Sequence, residues 1–222
     1  MRKVYYSPMR NPAAALVSFL VLSLGAAMAS GQQAALKTSA LESHEGLTIS
    51  AQPWTDPGLY KEKFPKKSPY AAGVLAVQVS FRNDSDESLR VNIERIRLTV
   101  LVDSDNRQEV HALTADQLAD EVLKPAAKDP TAKRKLPIPV GGGSAGGRDK
   151  HWTELQRQAQ DAGVPSSIVA AHSMVQGLLY FDLQGQFDLL QTAHLYVPDV
   201  AAMKGNRSLT YFDIDLGQRT PH

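Results

Sequence analysis

Residues 75–86 read Leu75-Ala76-Val77-Gln78-Val79-Ser80-Phe81-Arg82-Asn83-Asp84-Ser85-Asp86. Leu75, Val77, Val79 and Phe81 fall on one face, and Ala76, Gln78 and Ser80 on the other. A period of two carried by β-branched and aromatic residues marks a strand with one face in a core. Asn83 to Asp86 then end it, because short Asn, Asp and Ser side chains bond their own backbone and tolerate tight turns. The same period recurs on both sides. Upstream, Leu47 and Ile49 alternate with Thr48 and Ser50. Downstream come Leu89, Val91 and Ile93, then Ile96, Leu98, Val100 and Val102. A turn at Asp103-Ser104-Asp105-Asn106 leads into a short return strand over 109–113. Three more strands follow near the C-terminus, marked by Leu179, Phe181 and Leu183, by Ala193, Leu195 and Val197, and by Thr210, Phe212, Ile214 and Leu216.

One long interruption breaks the series. Thr114-Ala115-Asp116-Gln117 has the form of a capping box and opens a short helix to about Leu123, with Leu118 and Val122 on one side. Residues 124–150 carry Pro125, Pro130, Pro137 and Pro139 and a glycine run from Gly141 to Gly147, which reads as a flexible excursion. A second helix is expected from about His151 to Ala162, with a left-handed cap at Gly163 and Pro165 beyond it. Residues 53–69 are rich in lysine and turn formers and are expected to be irregular. Short strands separated by turn signals point to two packed antiparallel sheets.

The segment Val77 to Ser85, followed by Leu89-Arg90-Val91, resembles the opening hairpin of exported immunoglobulin-like modules of telokin-like and late-embryogenesis-abundant-like type. In that pattern a strand ends in Phe-x-Asn-x-Ser and returns with alternating aliphatics. The resemblance implies a mainly β fold, an immunoglobulin-like antiparallel β-sandwich. It carries no catalytic residues. With about seven strands, the expected domain covers 46–217 and includes a helical, Gly/Pro-rich insertion over 114–173. A tail over 218–222 follows it.

The first 29 residues read as an export signal. Arg2, Lys3 and Arg10 give a basic start, Ala13 to Leu24 an uncharged apolar run, and Ala27-Met28-Ala29 a small-residue cleavage site. A retained membrane anchor is the rival reading. Residues 30–45, SGQQAALKTSALESHE, are expected to form a flexible leader. No later run is long enough to span a membrane, so none is expected once the signal is cleaved. Cleavage takes three of the 24 basic side chains and none of the 23 acidic ones, leaving a net charge of −2. That balance gives no electrostatic case for nucleic acid. The chain has no cysteine, which removes disulfides, thiolate metal sites and cysteine nucleophiles together. Export to a periplasmic or extracellular location follows as the expectation. Asn83-Asp84-Ser85 and Asn206-Arg207-Ser208 are formal glycosylation sequons.

Catalytic motifs are missing from the sequence. The six histidines have no i, i+4 spacing and no His-Glu-x-x-His, so no metal site is expected. There is no Gly-x-Ser-x-Gly elbow, and the glycine run lacks the Lys-Ser/Thr of a phosphate loop. No cofactor is implied. Asp103, Asp105 and Asn106 share a turn but lack the pattern of a calcium loop. If the last three strands share one sheet, their outward residues are Tyr180, Asp182, His194, Tyr196, Tyr211 and Asp213. Tyrosines among acids form stiff, amphipathic contact area suited to an envelope protein or a glycan. The reading is an exported, non-enzymatic binding or scaffolding module. The alternative is an exported hydrolase or carbohydrate-active protein using carboxylates borne on strands.

Overall fold

The computed structural model describes residues 40–103, 106–124 and 150–217. The signal over 1–29, leader residues 30–39, the excursion over 125–149 and the tail over 218–222 lie outside the described residues. In the first half of the chain the strands are β1 (Ala40–His44), β2 (Leu47–Pro53), β3 (Val74–Asn83), β4 (Leu89–Val91), β5 (Arg97–Asp103) and β6 (Asn106–His111). The second half holds β7 (Ile168–Val169), β8 (Ser173–Asp182), β9 (His194–Val197), β10 (Val200–Ala202), β11 (Arg207–Ser208) and β12 (Phe212–Asp215). Three helices are α1 (Pro57–Lys63), α2 (Ala115–Leu123) and α3 (Lys150–Ala162).

The fold is mainly β and antiparallel, with twelve strands among the described residues rather than about seven. They form three sheets, in the orders β1-β2-β3-β8, β12-β9-β5-β6 and β11-β10-β4-β7. The extra strands are short ones of the third sheet, together with β1. Inward residues of all three sheets merge in one core: Ile49, Val77, Val79 and Phe81, Leu98 and Val100, Leu195 and Val197, Phe212 and Ile214, with Leu89 and Val200. Full burial of each such side chain contributes roughly 1.5–3 kcal/mol.

A second core lies on the other face of β3 and β8. Val74, Ala76, Leu178 and Tyr180 pack there against Trp54, Tyr60 and Phe64, against Leu118 and Ala119 of α2, and against Trp152, Leu155 and Ala159 of α3. The insertion is therefore a structural layer, since its two helices cover a sheet face. The capping box of α2 forms as its sequence predicts, with both the Thr114 and Gln117 side chains bonded across it. Trp152 Nε1 donates to Asp120 Oδ1 at 2.6 Å and ties α3 to α2. Residues 57–63, expected to be irregular, form α1. Asp56 caps it by accepting from the Gly58 amide, and Pro57 opens it. The helix buries Tyr60, whose hydroxyl donates to Trp54 O at 3.0 Å and accepts from the Ala76 amide at 2.8 Å. Burial pushes the Tyr60 phenol up, well above its ordinary value. Gly163 is not a left-handed cap. Its amide bonds Gln160 O, and its backbone bridges to Leu178 of β8.

The leader expected over 30–45 is a strand in its last part. β1 pairs with β2 through a two-residue turn, Glu45-Gly46, with φ of 51° and 81°. Positive φ at both positions is the mirror-image turn that matches strand twist. The Glu45 side chain is anchored by the segment that leads into β12. Its Oε2 accepts from the Thr210 amide at 2.7 Å, and Arg207 lies 3.5 Å from Oε1. Glu42 likewise accepts from the Asp213 amide at 2.6 Å. These two carboxylates satisfy amides on the open side of β12 and its approach, which blunts a sheet edge. The Thr210 amide, aided by Arg207, holds the Glu45 carboxyl below its ordinary 4.5. A depressed folded value means the contribution is present above pH 4.5 and drains away as the pH falls below it. The protection factor of the Thr210 amide in hydrogen exchange is expected to drop in that acid range, and in Glu45→Gln to lose this pH dependence. An unchanged protection factor from pH 6 to pH 3 would contradict it.

Asn83 ends β3 as the sequence predicts, but it is fully buried. Its Nδ2 donates to the carbonyls of Glu87 (2.7 Å), Ala170 (3.0 Å) and Val169 (3.2 Å). Its Oδ1 accepts from the Ser85 amide and hydroxyl. One amide group thus fastens the turn after β3 to β7, and burial removes this sequon from any modifying enzyme's reach in the folded protein. Asn206 of the other sequon is exposed.

Candidate binding face

The outer face of the β12-β9-β5-β6 sheet carries the candidate site. Register sets its rows. Asp213 lies opposite Tyr196, Tyr196 opposite Arg97, and Arg97 opposite His111. The next row runs Asp215, His194, Thr99, Glu109. Alternate residues Phe212, Ile214, Leu195, Leu98 and Val100 point into the core, so the polar set faces out. Four of the six expected face residues, His194, Tyr196, Tyr211 and Asp213, come together here. With Arg97, Thr99, Arg107 and Glu109 they line a cleft of about 370 Å³.

Tyr180 and Asp182 do not join them. They belong to β8, which sits in the other large sheet beside β3. Tyr180 is only 3 % exposed, packs edge-on to Phe64 and donates to Ala159 O at 3.3 Å. Burial raises its phenol well above the ordinary value. The alternation of β8 correctly separates two faces, but the helices cover the one assigned to solvent. Asp182 is half-buried and accepts from the Gln184 amide, which closes the turn after β8.

Within the cleft the contacts are close but incomplete. The Tyr196 and Tyr211 rings stand 5.3 Å apart at 40°. The Arg97 guanidinium lies 4.6 Å from the Tyr196 ring centroid, a cation–π contact. Arg97 Nε is 3.2 Å from Glu109 Oε2, and His194 Nδ1 is 3.2 Å from Asp213 Oδ1. Neither nitrogen meets hydrogen-bond geometry with its carboxylate, so both are close approaches without a formed hydrogen bond. The carboxylates of Glu109 and Asp213 are 48 % and 47 % exposed and keep their acceptor capacity. Arg107 is exposed, and among the described residues it makes no ion pair.

Other places fit less chemistry. A larger cleft of about 720 Å³ is lined by the third sheet and its flanking turns, including Arg90, Asn92, Glu94, Asp199, Asn206 and Ser208. The neighbouring arginines are engaged: Arg90 donates to Asn206 Oδ1 at 3.1 Å, and Arg95 to Asp199 at 2.7 Å. In the lysine-rich stretch, Lys66 pairs with Glu154 of α3 at 2.8 Å and lowers its carboxyl below the ordinary value. Among the described residues no three His, Asp or Glu side chains gather closely enough to hold a metal ion, and no helix is long and apolar enough to cross a membrane.

Arg97, Thr99, Arg107 and Glu109 were missed by sequence reasoning. Their signal is cross-strand register, which appears only once β5 is placed between β9 and β6. No family model matches this chain, and no curated protein matches it. Among solved structures it is similar to a functionally unknown protein from Listeria monocytogenes EGD-e, at 15 % identity. That likeness covers 71 % of this chain and 69 % of the other, with a TM-score of 0.32.

Proposed function

We propose that this protein is an exported, non-enzymatic module that binds or scaffolds a protein or glycan partner in the cell envelope. The basic, apolar and small-residue order of the first 29 residues supports export. One observation supports binding: the outward residues His194, Tyr196, Tyr211 and Asp213 share a cleft with two arginines and a glutamate. Stiff aromatic area beside exposed charges is the composition of a recognition surface. The hydrolase alternative draws on the same carboxylates. Asp213 and Glu109 stand on strands three spacings apart, about 14 Å between backbones. Each is set against a nitrogen-bearing neighbour rather than against the other acid, Asp213 against His194 and Glu109 against Arg97, which favours binding over paired-carboxyl chemistry.

The test is capture of partners from an envelope extract by the tagged mature protein and by Tyr196→Ala/Tyr211→Ala. Tyr180 is left intact because it is core. Loss of a captured partner by about tenfold or more, with an unchanged melting temperature, is expected for removal of two interface aromatics. Undiminished capture by the double variant would move the site off this face.

A further inference from the structure

We infer that the ligand of the β12-β9-β5-β6 face is an acidic saccharide, a sugar of the uronic-acid type carrying a carboxylate. The inference rests on the binding reading above and names the chemistry of its ligand. The first support is what lines the cleft: Arg97, Thr99, Arg107, Glu109, His194, Tyr196, Tyr211 and Asp213, with no aliphatic side chain among them. Protein partners are met by surfaces whose centres are depleted of charge and enriched in apolar groups. This cleft has the reverse balance, and a polyhydroxylated ligand suits it.

The second support is the division of labour among the side chains. Tyr211 is 53 % exposed, and its ring meets Tyr196 at 40°, which makes an angled wall for the C–H face of a sugar ring. One side of Tyr196 already carries Arg97, so the exposed Tyr211 ring is the platform. Asp213 and Glu109 accept no well-formed hydrogen bond from their neighbours and so present free lone pairs to hydroxyl donors. Thr99 and His194 add polar groups that act as donor or acceptor.

The third support is charge. Arg97 pairs with Glu109, whereas the exposed Arg107 side chain makes no hydrogen bond or ion pair among the described residues, so its guanidinium is unengaged. A guanidinium with a free fork recognises a planar carboxylate through two parallel bonds. The two acids in the cleft repel a polyphosphate, so a single carboxylate on a neutral ring is the anion that fits. The cleft volume of about 370 Å³ lies at the small end of ligand sites, appropriate to a short saccharide segment.

The test is calorimetric or NMR titration of the mature protein with cellobiouronic acid, a disaccharide carrying one carboxylate, and with its neutral counterpart cellobiose. The acidic sugar is expected to bind about tenfold tighter, the worth of one charge-assisted contact. Arg107→Gln should remove that preference by lowering the acidic sugar's affinity to that of the neutral one. Tyr211→Ala should weaken both. Equal affinity for the two sugars, or a preference that survives Arg107→Gln, overturns the inference. If neither sugar binds but Tyr196→Ala/Tyr211→Ala still loses its envelope partner, the saccharide is wrong and the binding face stands. If neither sugar binds and capture is also unchanged, both readings fall.

Discussion

Asn83→Asp is expected to destabilise the protein by about 3–5 kcal/mol at pH 7, because it buries a charge among acceptors. The Asn83 amide donates to three carbonyls, and a carboxylate offers none of those donors. Ser85 would still bond one oxygen, but the other would face Glu87, Val169 and Ala170 carbonyls at van der Waals range. Burial and carbonyl repulsion both raise the folded-state value of such an acid above the unfolded value of about 3.9. With the folded value raised, the stability of the protonated variant is kept below about pH 3.9 and lost as the pH rises. The difference in unfolding free energy between wild type and Asn83→Asp should therefore be smaller at pH 3 than at pH 7. Urea unfolding at the two pH values measures it. A difference under 1 kcal/mol at pH 7, or one that shrinks as pH rises, would contradict the account.

Gly177→Ala carries the second large effect, about 2–4 kcal/mol of overpacking. A Cβ at Gly177 would lie 2.4 Å from Gly163 O and 2.5 Å from Val164 N. Both are backbone atoms at the end of α3, where Gly163 bridges to Leu178, so no side chain can turn aside to make room. The end of α3 must lift off β8. Trp152, Leu155 and Ala159 then draw away from Leu178 and Tyr180, and the damage falls on the helical layer before the sandwich core. Near-ultraviolet dichroism of Trp54 and Trp152 is expected to fade at a lower temperature than the far-ultraviolet strand signal. A melting temperature within 2 °C of wild type would show that the strand and the helix end can part at little cost.

Much of the fold is legible in the sequence because alternation is a direct consequence of the pleat. The inward set Val77, Val79 and Phe81, the inward set Leu195 and Val197, and the pair Phe212 and Ile214 all read correctly. The α2 cap reads correctly because its chemistry is local. Other elements carry no local signal. β1 leaves Leu41 65 % exposed and is defined by its partner β2 and by Glu42 and Glu45 reaching across, neither of which composition reveals. α1 is short and starts Pro57-Gly58, so its helicity comes from the Asp56 cap and the burial of Tyr60. Tyr180 shows the limit of alternation: period two distinguishes two faces and does not say whether a helix covers one.

The candidate site divides the same way. His194, Tyr196 and Asp213 share a face because β9 and β12 pair in the register their patterns imply. Arg97, Arg107 and Glu109 join only through the neighbour order β9-β5-β6, a property of topology rather than of any segment.

The order of strands also sets a timetable for the chain. β3 finds β2 nearby in sequence, yet its other flank pairs from Val74 to Asp182 and from Asn83 to Ser173. Whatever delivers the chain from its N-terminus must therefore carry Val77, Val79 and Phe81 with one side open until residue 182 has arrived. An open strand of that kind is what holding chaperones shield and what aggregates seek. The length of such a connection makes little difference at equilibrium, since doubling it adds only about 0.6 kcal/mol of closure entropy. Length there acts on rate instead, because distant pairings must be found before they are rewarded. The residues separating Asn83 from Ser173, among them β4, β5 and the α2 and α3 helices, thus set how long the protein stays vulnerable while it folds.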